Sequence, residues 1–252
     1  MKMYPTSEAR VHRNAKIVLL VSLAFNVFAV FMLARGVYLR GGWEYLKDRI
    51  SGAPSADGLD PDATAYALRE SLFERLPARK NSVVFLGDSL VAGCEWSEIF
   101  PGALNRGIGG DTTSGVLKRL GTITKDRPAA IFVMVGSNDL INLRISAQQS
   151  AANIRAIVAD IRRSSPNTRI YLHSILPNWS TSKNLRARQV NGLVKALADG
   201  KSVTFIDIYA DFLSGDVLNP KLTVDGSHLN GDGYMIWKRL IEPYVRQAAM
   251  DR

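Results

Sequence analysis

Ser82-Val83-Val84-Phe85-Leu86-Gly87-Asp88-Ser89 runs four consecutive apolar residues into a glycine. A run this short, bounded by a turn residue, reads as a strand buried on both faces, as in a parallel sheet. Ser89 then stands just past the strand's carboxyl end, the rim where open α/β sheets gather their reacting groups. Downstream, strand and helix patterns alternate. Strands are expected at Ala103 to Arg106, Ala130 to Val135, Ile170 to Leu176 and Val203 to Ile208. Between them, Thr112-Thr113-Ser114 caps a helix carrying Val116, Leu117, Leu120 and Ile123. Further helices are expected from Ser146 to Ser164, from about Leu185 to Ala198, and from Gly231 to Ala249. Five such βα units predict a three-layer α/β/α sandwich around a five-stranded parallel sheet of flavodoxin-like type.

Three more blocks fall on the loops of that scheme: Asn105-Arg106-Gly107-Ile108-Gly109-Gly110-Asp111-Thr112, Gly136-Ser137-Asn138-Asp139 and Asp225-Gly226-Ser227-His228. With Gly87-Asp88-Ser89 they resemble, in order, the SGNH (GDSL-type) hydrolase superfamily. The nearest branch is that of platelet-activating factor acetylhydrolase and related O-acetylesterases. The likeness covers about residues 80 to 245 and leaves out the first 60 or so. By position it implies Ser89 as nucleophile and Asp225 and His228 as the rest of the triad. It also implies the N–H groups of Ser89 and Gly110 and the amide of Asn138 as oxyanion donors. None of these residues is substituted.

The residue chemistry agrees with that assignment. A serine hydroxyl needs a neighbouring base, and the chain has three histidines: His12, His173 and His228. His12 precedes the long apolar segment, and His173 sits inside the fourth strand, where a packed, hydrogen-bonded histidine is expected. His228 follows Asp225 by one turn, close enough for the carboxylate to fix its tautomer. Attack on an ester carbonyl creates an oxyanion that needs fixed donors, and glycine at 110 allows backbone geometry and close approach. Gly107 to Thr112 is not a dinucleotide loop, because Thr112 stands where G-x-G-x-x-G requires glycine. Asp88 and Asp139 are expected as structural turn or cap residues. Cys94, the single cysteine, is expected as a small buried side chain and excludes an internal disulfide or a cysteine metal site. No metal and no cofactor is implied.

The formal charge is +9, and residues 1–50 hold eight Lys/Arg against three acids. The excess flanks Ile17 to Ala34, an 18-residue run without charge. As a helix it spans about 27 Å, close to a bilayer's hydrocarbon thickness. Basic residues there suit anionic headgroups, and a nucleic-acid partner is not expected. The organisation read from these features is a tail over 1–16, a transmembrane signal anchor over 17–36, a juxtamembrane segment and linker over 37–62, and a hydrolase domain over 63–252. The linker is Ser51 to Gly58, and Leu68, Leu72, Phe73 and Leu76 then keep a helical period. A cleaved signal peptide is the competing reading of the apolar run. Four Lys/Arg lie near each end of it, so the positive-inside rule does not set orientation; the family's anchored members favour an exported catalytic domain.

The expected function is a serine esterase acting on short acyl esters, acetyl on carbohydrate first, through an acyl-enzyme. Lipid or lysophospholipid esters, acyl transfer by the same triad, and a non-catalytic tethered glycan-binding module are the alternatives. Trp179, after the fourth strand, is either a sugar-stacking residue flanked by the hydrogen-bonding Asn178 and Ser180, or a lid packed on the sheet edge. The expected partners are a small-molecule or glycan ester and the membrane; no oligomeric state is assigned.

Overall fold

An uncharged apolar run satisfies its backbone best as a helix, and the first helix, α1 (Ser7–Leu39), contains that run entirely. The computed structural model describes residues 7–39, 42, 43, 61–76, 79–141 and 145–250. The chain divides into two compact units, Met1–Asp60 and Pro61–Arg252. Within α1, Val18–Leu39 has a mean hydropathy of 2.2 and none of it is buried in protein. It is long and apolar enough to cross a membrane, a property shared by spans and signal sequences. Helix extends into the expected tail, as far back as Ser7. The expected linker, Ser51 to Gly58, lies outside the described residues.

The second unit begins with α2 (Pro61–Arg75), which has Asp62 in its first turn and Arg75 in its last, both complementary to the helix dipole. The helix expected from the period of Leu68, Leu72, Phe73 and Leu76 is present, but those four positions are not equally covered. Phe73 is buried, while Leu68, Leu72 and Leu76 face solvent. Next come β1 (Val83–Gly87), α3 (Ser89–Ala92), β2 (Leu104–Gly107), α4 (Thr113–Arg119), β3 (Ala130–Met134) and α5 (Ser137–Ile141). The chain closes with α6 (Ala147–Ser164), β4 (Arg169–His173), α7 (Thr181–Lys195), β5 (Val203–Ile206) and α8 (Gly231–Met250). Within the five-stranded sheet every pairing is parallel, in the order β2-β1-β3-β4-β5, and a separate antiparallel pair joins Leu213–Ser214 to Val217–Leu218.

Strand period two sends alternate residues to opposite faces. Val84, Leu86, Ile131 and Val133 pack with Val116, Leu120, Ile157 and Val190 beneath α4, α6 and α7. Val83, Phe85, Phe132 and Tyr171 pack on the other face with Trp96, Trp237 and Ile241 of α8. Phe85 stacks on Trp96 at 3.9 Å between ring centroids. This is the expected three-layer sandwich. Its strand order reverses at β1, so the loops after β1 and β3 flank a crevice at the carboxyl rim.

β4 ends at His173, three residues before the expected end. Ile175 leaves the ladder because the Asn191 side chain takes over its pairing, accepting from its N–H at 2.7 Å and donating to its carbonyl at 3.0 Å. His173 is buried, but neither ring nitrogen has a hydrogen-bond partner within the protein, contrary to the expectation. It packs at 5.8 Å from the Phe132 ring and 5.6 Å from the Trp237 ring. Burial holds its pKa down near 3, so the ring is neutral.

Candidate active site

Asp88 opens the site. It caps α3, its Oδ1 accepting from the Leu90 N–H at 3.1 Å. The cap fixes the turn on which Ser89, the first residue of α3, leaves the sheet. Burial, outweighing the Leu90 N–H that the carboxylate accepts, raises the Asp88 carboxyl to about 7. Its structural role is as expected.

Ser89 Oγ lies 2.9 Å from His228 Nε2, and His228 Nδ1 lies 2.7 Å from Asp225 Oδ2. The second carboxylate oxygen, Oδ1, accepts from the backbone N–H groups of Ser227 at 2.8 Å and His228 at 2.7 Å. These bonds, that from the imidazole foremost, lower the Asp225 carboxyl to about 2. An ionised carboxylate can only accept, so Nδ1 carries the hydrogen and Nε2 turns its lone pair to the serine hydroxyl. The loop is self-tethered: Thr223 Oγ1 donates to the His228 carbonyl at 2.6 Å and accepts from the Gly226 N–H at 2.8 Å. About half of each side chain is exposed, 46% for His228 and 51% for Asp225.

The loop after β2 places Gly110 at φ +73°, a left-handed conformation that favours glycine. A Cβ there would meet no protein atom within 4 Å. Conformation therefore requires the glycine, and crowding by the protein does not. Asn138, at the start of α5, donates from Nδ2 to the Asp111 carbonyl at 2.8 Å. The amide is thus seated beside the Gly110 loop.

Beside this loop runs a buried polar network that the sequence did not lead us to expect. Arg119 donates through Nε to Asp111 Oδ2 at 2.8 Å. Through Nη2 it donates to the carbonyls of Arg106 at 2.9 Å and Gly87 at 3.2 Å. One guanidinium thus joins the ends of β1 and β2 to the Gly110 loop. Asp139 is fully buried and caps another helix: it accepts from the Thr113 N–H at 2.9 Å and the Thr113 hydroxyl at 2.5 Å. A signal for Arg119 existed, since it lies three residues from Val116 on the buried stripe of α4.

The Trp179 side chain is exposed, but its backbone N–H donates to the Gly226 carbonyl at 2.8 Å. Gly226 has φ +85°, and a Cβ there would come within 2.9 Å of Trp179 Cβ. The Trp179 backbone and the base of its side chain therefore brace the loop that carries Asp225 and His228, and Lys183 Nζ lies 4.9 Å from the ring centroid. Asn178 does not present its amide to solvent as expected. It is buried, its Oδ1 accepting from the Ser180 N–H at 2.8 Å and its Nδ2 donating to Ser227 Oγ at 3.3 Å. Cys94 is buried as expected, and burial pushes its thiol up to about 12, far from a nucleophilic thiolate at neutral pH. Among the described residues no group of three or more His, Cys, Asp or Glu is arranged to hold a metal ion.

Comparison with known proteins places the chain in a family. The GDSL-like Lipase/Acylhydrolase family matches residues 85–236. The platelet-activating factor acetylhydrolase IB subunit alpha1 of Rattus norvegicus is 38% identical over 187 residues, covering 69% of this chain and 79% of the relative. The alpha2 subunit from the same species is 36% identical over 168 residues, covering 62% and 72%. In fold, a GDSL-like lipase from Bacteroides thetaiotaomicron superposes with a TM-score of 0.61 at 24% identity, covering 73% of this chain and 98% of the other. A carbohydrate esterase family 3 protein from Talaromyces cellulolyticus gives 0.57 at 17% identity, covering 68% and 99%. With the family matched across β1 to α8 and relatives this similar in sequence, the chain belongs to the GDSL-like lipase/acylhydrolase family and is a carboxylic ester hydrolase.

Proposed function

We propose that Ser89 is the nucleophile, His228 the general base and then acid, and Asp225 the residue that orients it. The observation carrying this is the unbroken chain Ser89 Oγ–His228 Nε2, 2.9 Å, and His228 Nδ1–Asp225 Oδ2, 2.7 Å. His228 takes the hydroxyl proton as Oγ attacks the ester carbonyl, and Asp225 stabilises the imidazolium. The negative charge that builds on the carbonyl oxygen is received by the N–H groups of Ser89 and Gly110 and the Nδ2 of Asn138. His228 then protonates the departing alcohol, and a water activated by the same imidazole releases the acid.

The substrate read here is a short acyl ester, acetyl first, borne on carbohydrate. An acetylhydrolase among the relatives and a carbohydrate esterase among the fold neighbours support it. So does the half-exposed His228 and Asp225 side of the site, which leaves room for a bulky alcohol, with the exposed Trp179 indole at its edge. Lipid esters are the second reading, favoured by the apolar helix Val18–Leu39. That helix we read as a single-pass anchor with the catalytic domain exported.

The test is fluorophosphonate labelling, with hydrolysis of acetylated sugar, phenyl acetate and long-chain esters by the full chain in detergent. Labelling should vanish in Ser89→Ala, and acetyl esters should turn over fastest. Retention of a tenth of wild-type turnover by Ser89→Ala would remove it as nucleophile. Trp179→Ala should raise KM several-fold for the sugar alone, on the order of 1 kcal/mol of stacking. Equal losses on sugar and phenyl acetate would leave the indole as a brace only. A preference for long acyl chains would move the substrate to lipid.

A further inference from the structure

α2 lies before the region matched by the family, residues 85–236, yet its contacts converge on the loop that bears Gly110. Tyr66 Oη donates to Asp111 Oδ1 at 3.3 Å, and Arg69 Nη2 donates to the Gly107 carbonyl at 3.1 Å. These two bonds hold the loop near its two ends, at Gly107 and Asp111, with Gly110 between them. Burial and the Asp111 charge raise the Tyr66 phenol to about 12, so it remains a donor across the working pH range.

Hydrophobic docking is a poor account of this helix. Leu68, Leu72 and Leu76 face solvent, and Phe73 alone among them is buried. The Phe73 ring is itself surrounded by cations: the guanidinium carbons of Arg106, Arg69 and Arg119 lie 4.8, 4.9 and 5.9 Å from its centroid. Arg119 is the residue that fixes Asp111 from below. Asp111 thus receives Arg119 from within the domain, Tyr66 from α2, and on its carbonyl the Asn138 amide. Two of the three oxyanion donors proposed above are therefore seated on a loop that α2 grips from outside.

We infer that α2 is a clamp on the oxyanion loop, with Tyr66 and Arg69 as positioning residues for acyl transfer. The inference rests on the reading of Gly110 and Asn138 as oxyanion donors. A donor displaced by a fraction of an ångström still binds the planar ester but stabilises the tetrahedral oxyanion less, so the clamp acts on kcat more than on KM.

The experiment uses the full chain in detergent with 4-nitrophenyl acetate, reading kcat, KM and the thermal midpoint for Tyr66→Phe, Arg69→Met, the pair, Arg69→Lys and Asn138→Ala. The pair should lose about tenfold in kcat with KM within about twofold. Arg69→Lys, which keeps a donor for the Gly107 carbonyl, should recover most of the loss due to Arg69→Met. In an Asn138→Ala background the same pair should cost less, because the donor it positions is gone. If Asn138→Ala lowers kcat and the pair leaves it within twofold, the clamp is wrong and the oxyanion reading stands. If Asn138→Ala leaves kcat intact, both fall. Should Arg69→Met fail to fold, Tyr66→Phe, which removes a single oxygen, decides the matter by the same kcat and KM comparison.

Discussion

The two sides of the candidate site are built on opposite plans. The floor is long-range and dry: Asp111, Thr113, Arg119 and Asp139 are all buried, and Arg119 alone joins β1, β2 and the Gly110 loop. The wall is local and wet: Asp225 and His228 are half exposed, and most of their hydrogen bonds close within residues 223–228. An exposed pair contributes little to stability, whereas removing one partner of a buried pair leaves a charge without compensation. Damage to the wall should thus cost rate, and damage to the floor should cost the fold.

The largest effect expected is on the wall. His228→Ala should lower kcat/KM at least about 10⁴-fold. The same variant should shift the thermal midpoint by no more than about 2 °C, as befits a half-exposed side chain. A midpoint that collapses together with the rate would show that the wall also carries the fold.

Next comes the floor. Arg119→Met strands Asp111 as a buried carboxylate and should cost about 3–5 kcal/mol in urea unfolding. Adding Asp111→Asn to it should restore part of that loss, since the charge goes with its partner. An Arg119→Met protein as stable as wild type would mean that the network is replaceable.

The smallest effect compares the two carboxylates near Ser89. Asp225 lies near 2 because it accepts hydrogen bonds, and Asp88 near 7 because it is buried. For Asp88 the folded value exceeds the unfolded one, so the native state holds a proton that the unfolded chain lacks between about pH 4 and 7. That stability is present below about pH 4 and is lost as pH rises through 7, by at most about 1.4 kcal/mol per pH unit. Asp88→Asn, which keeps the acceptor for Leu90, should flatten the stability curve over that window. An unchanged curve would mean that Asp88 remains charged when buried.

The strands and the wall were legible for the same reason. Val83 to Phe85 and Ala130 to Val133 are apolar runs with no other reason to exist, and Asp225 and His228 are three residues apart in a loop. Legibility failed where side chains did the work of the backbone. Asn191 pairs with Ile175 outside the sheet, so an apolar run outlasted its strand. Ser174 Oγ likewise accepts from the Ile208 N–H at 2.9 Å beyond the end of β5. The period of Leu68, Leu72 and Leu76 announces a helix and says nothing of its contacts, which run through Tyr66, Arg69 and Phe73. The burial of Arg119 was legible from its place on the Val116 stripe, but its role was not, because two of its partners are carbonyls that no side chain announces.

Arg119 also constrains the order in which the molecule assembles. β2 is an edge strand, paired with β1 alone. Until that pair forms there is no place for the guanidinium out of water, because the Gly87 and Arg106 carbonyls that receive it belong one to each strand. The loop that bears Gly110, tied to the same guanidinium through Asp111, cannot settle earlier than the sheet edge does. The loop of residues 223–228 closes most of its hydrogen bonds within itself and can take much of its shape locally, with Trp179 and Asn178 bracing it afterwards. On this ordering a refolding chain holds His228 and Asp225 together before the Gly110 loop is in place, and, with the oxyanion donors proposed above, esterase activity is among the last native properties to return.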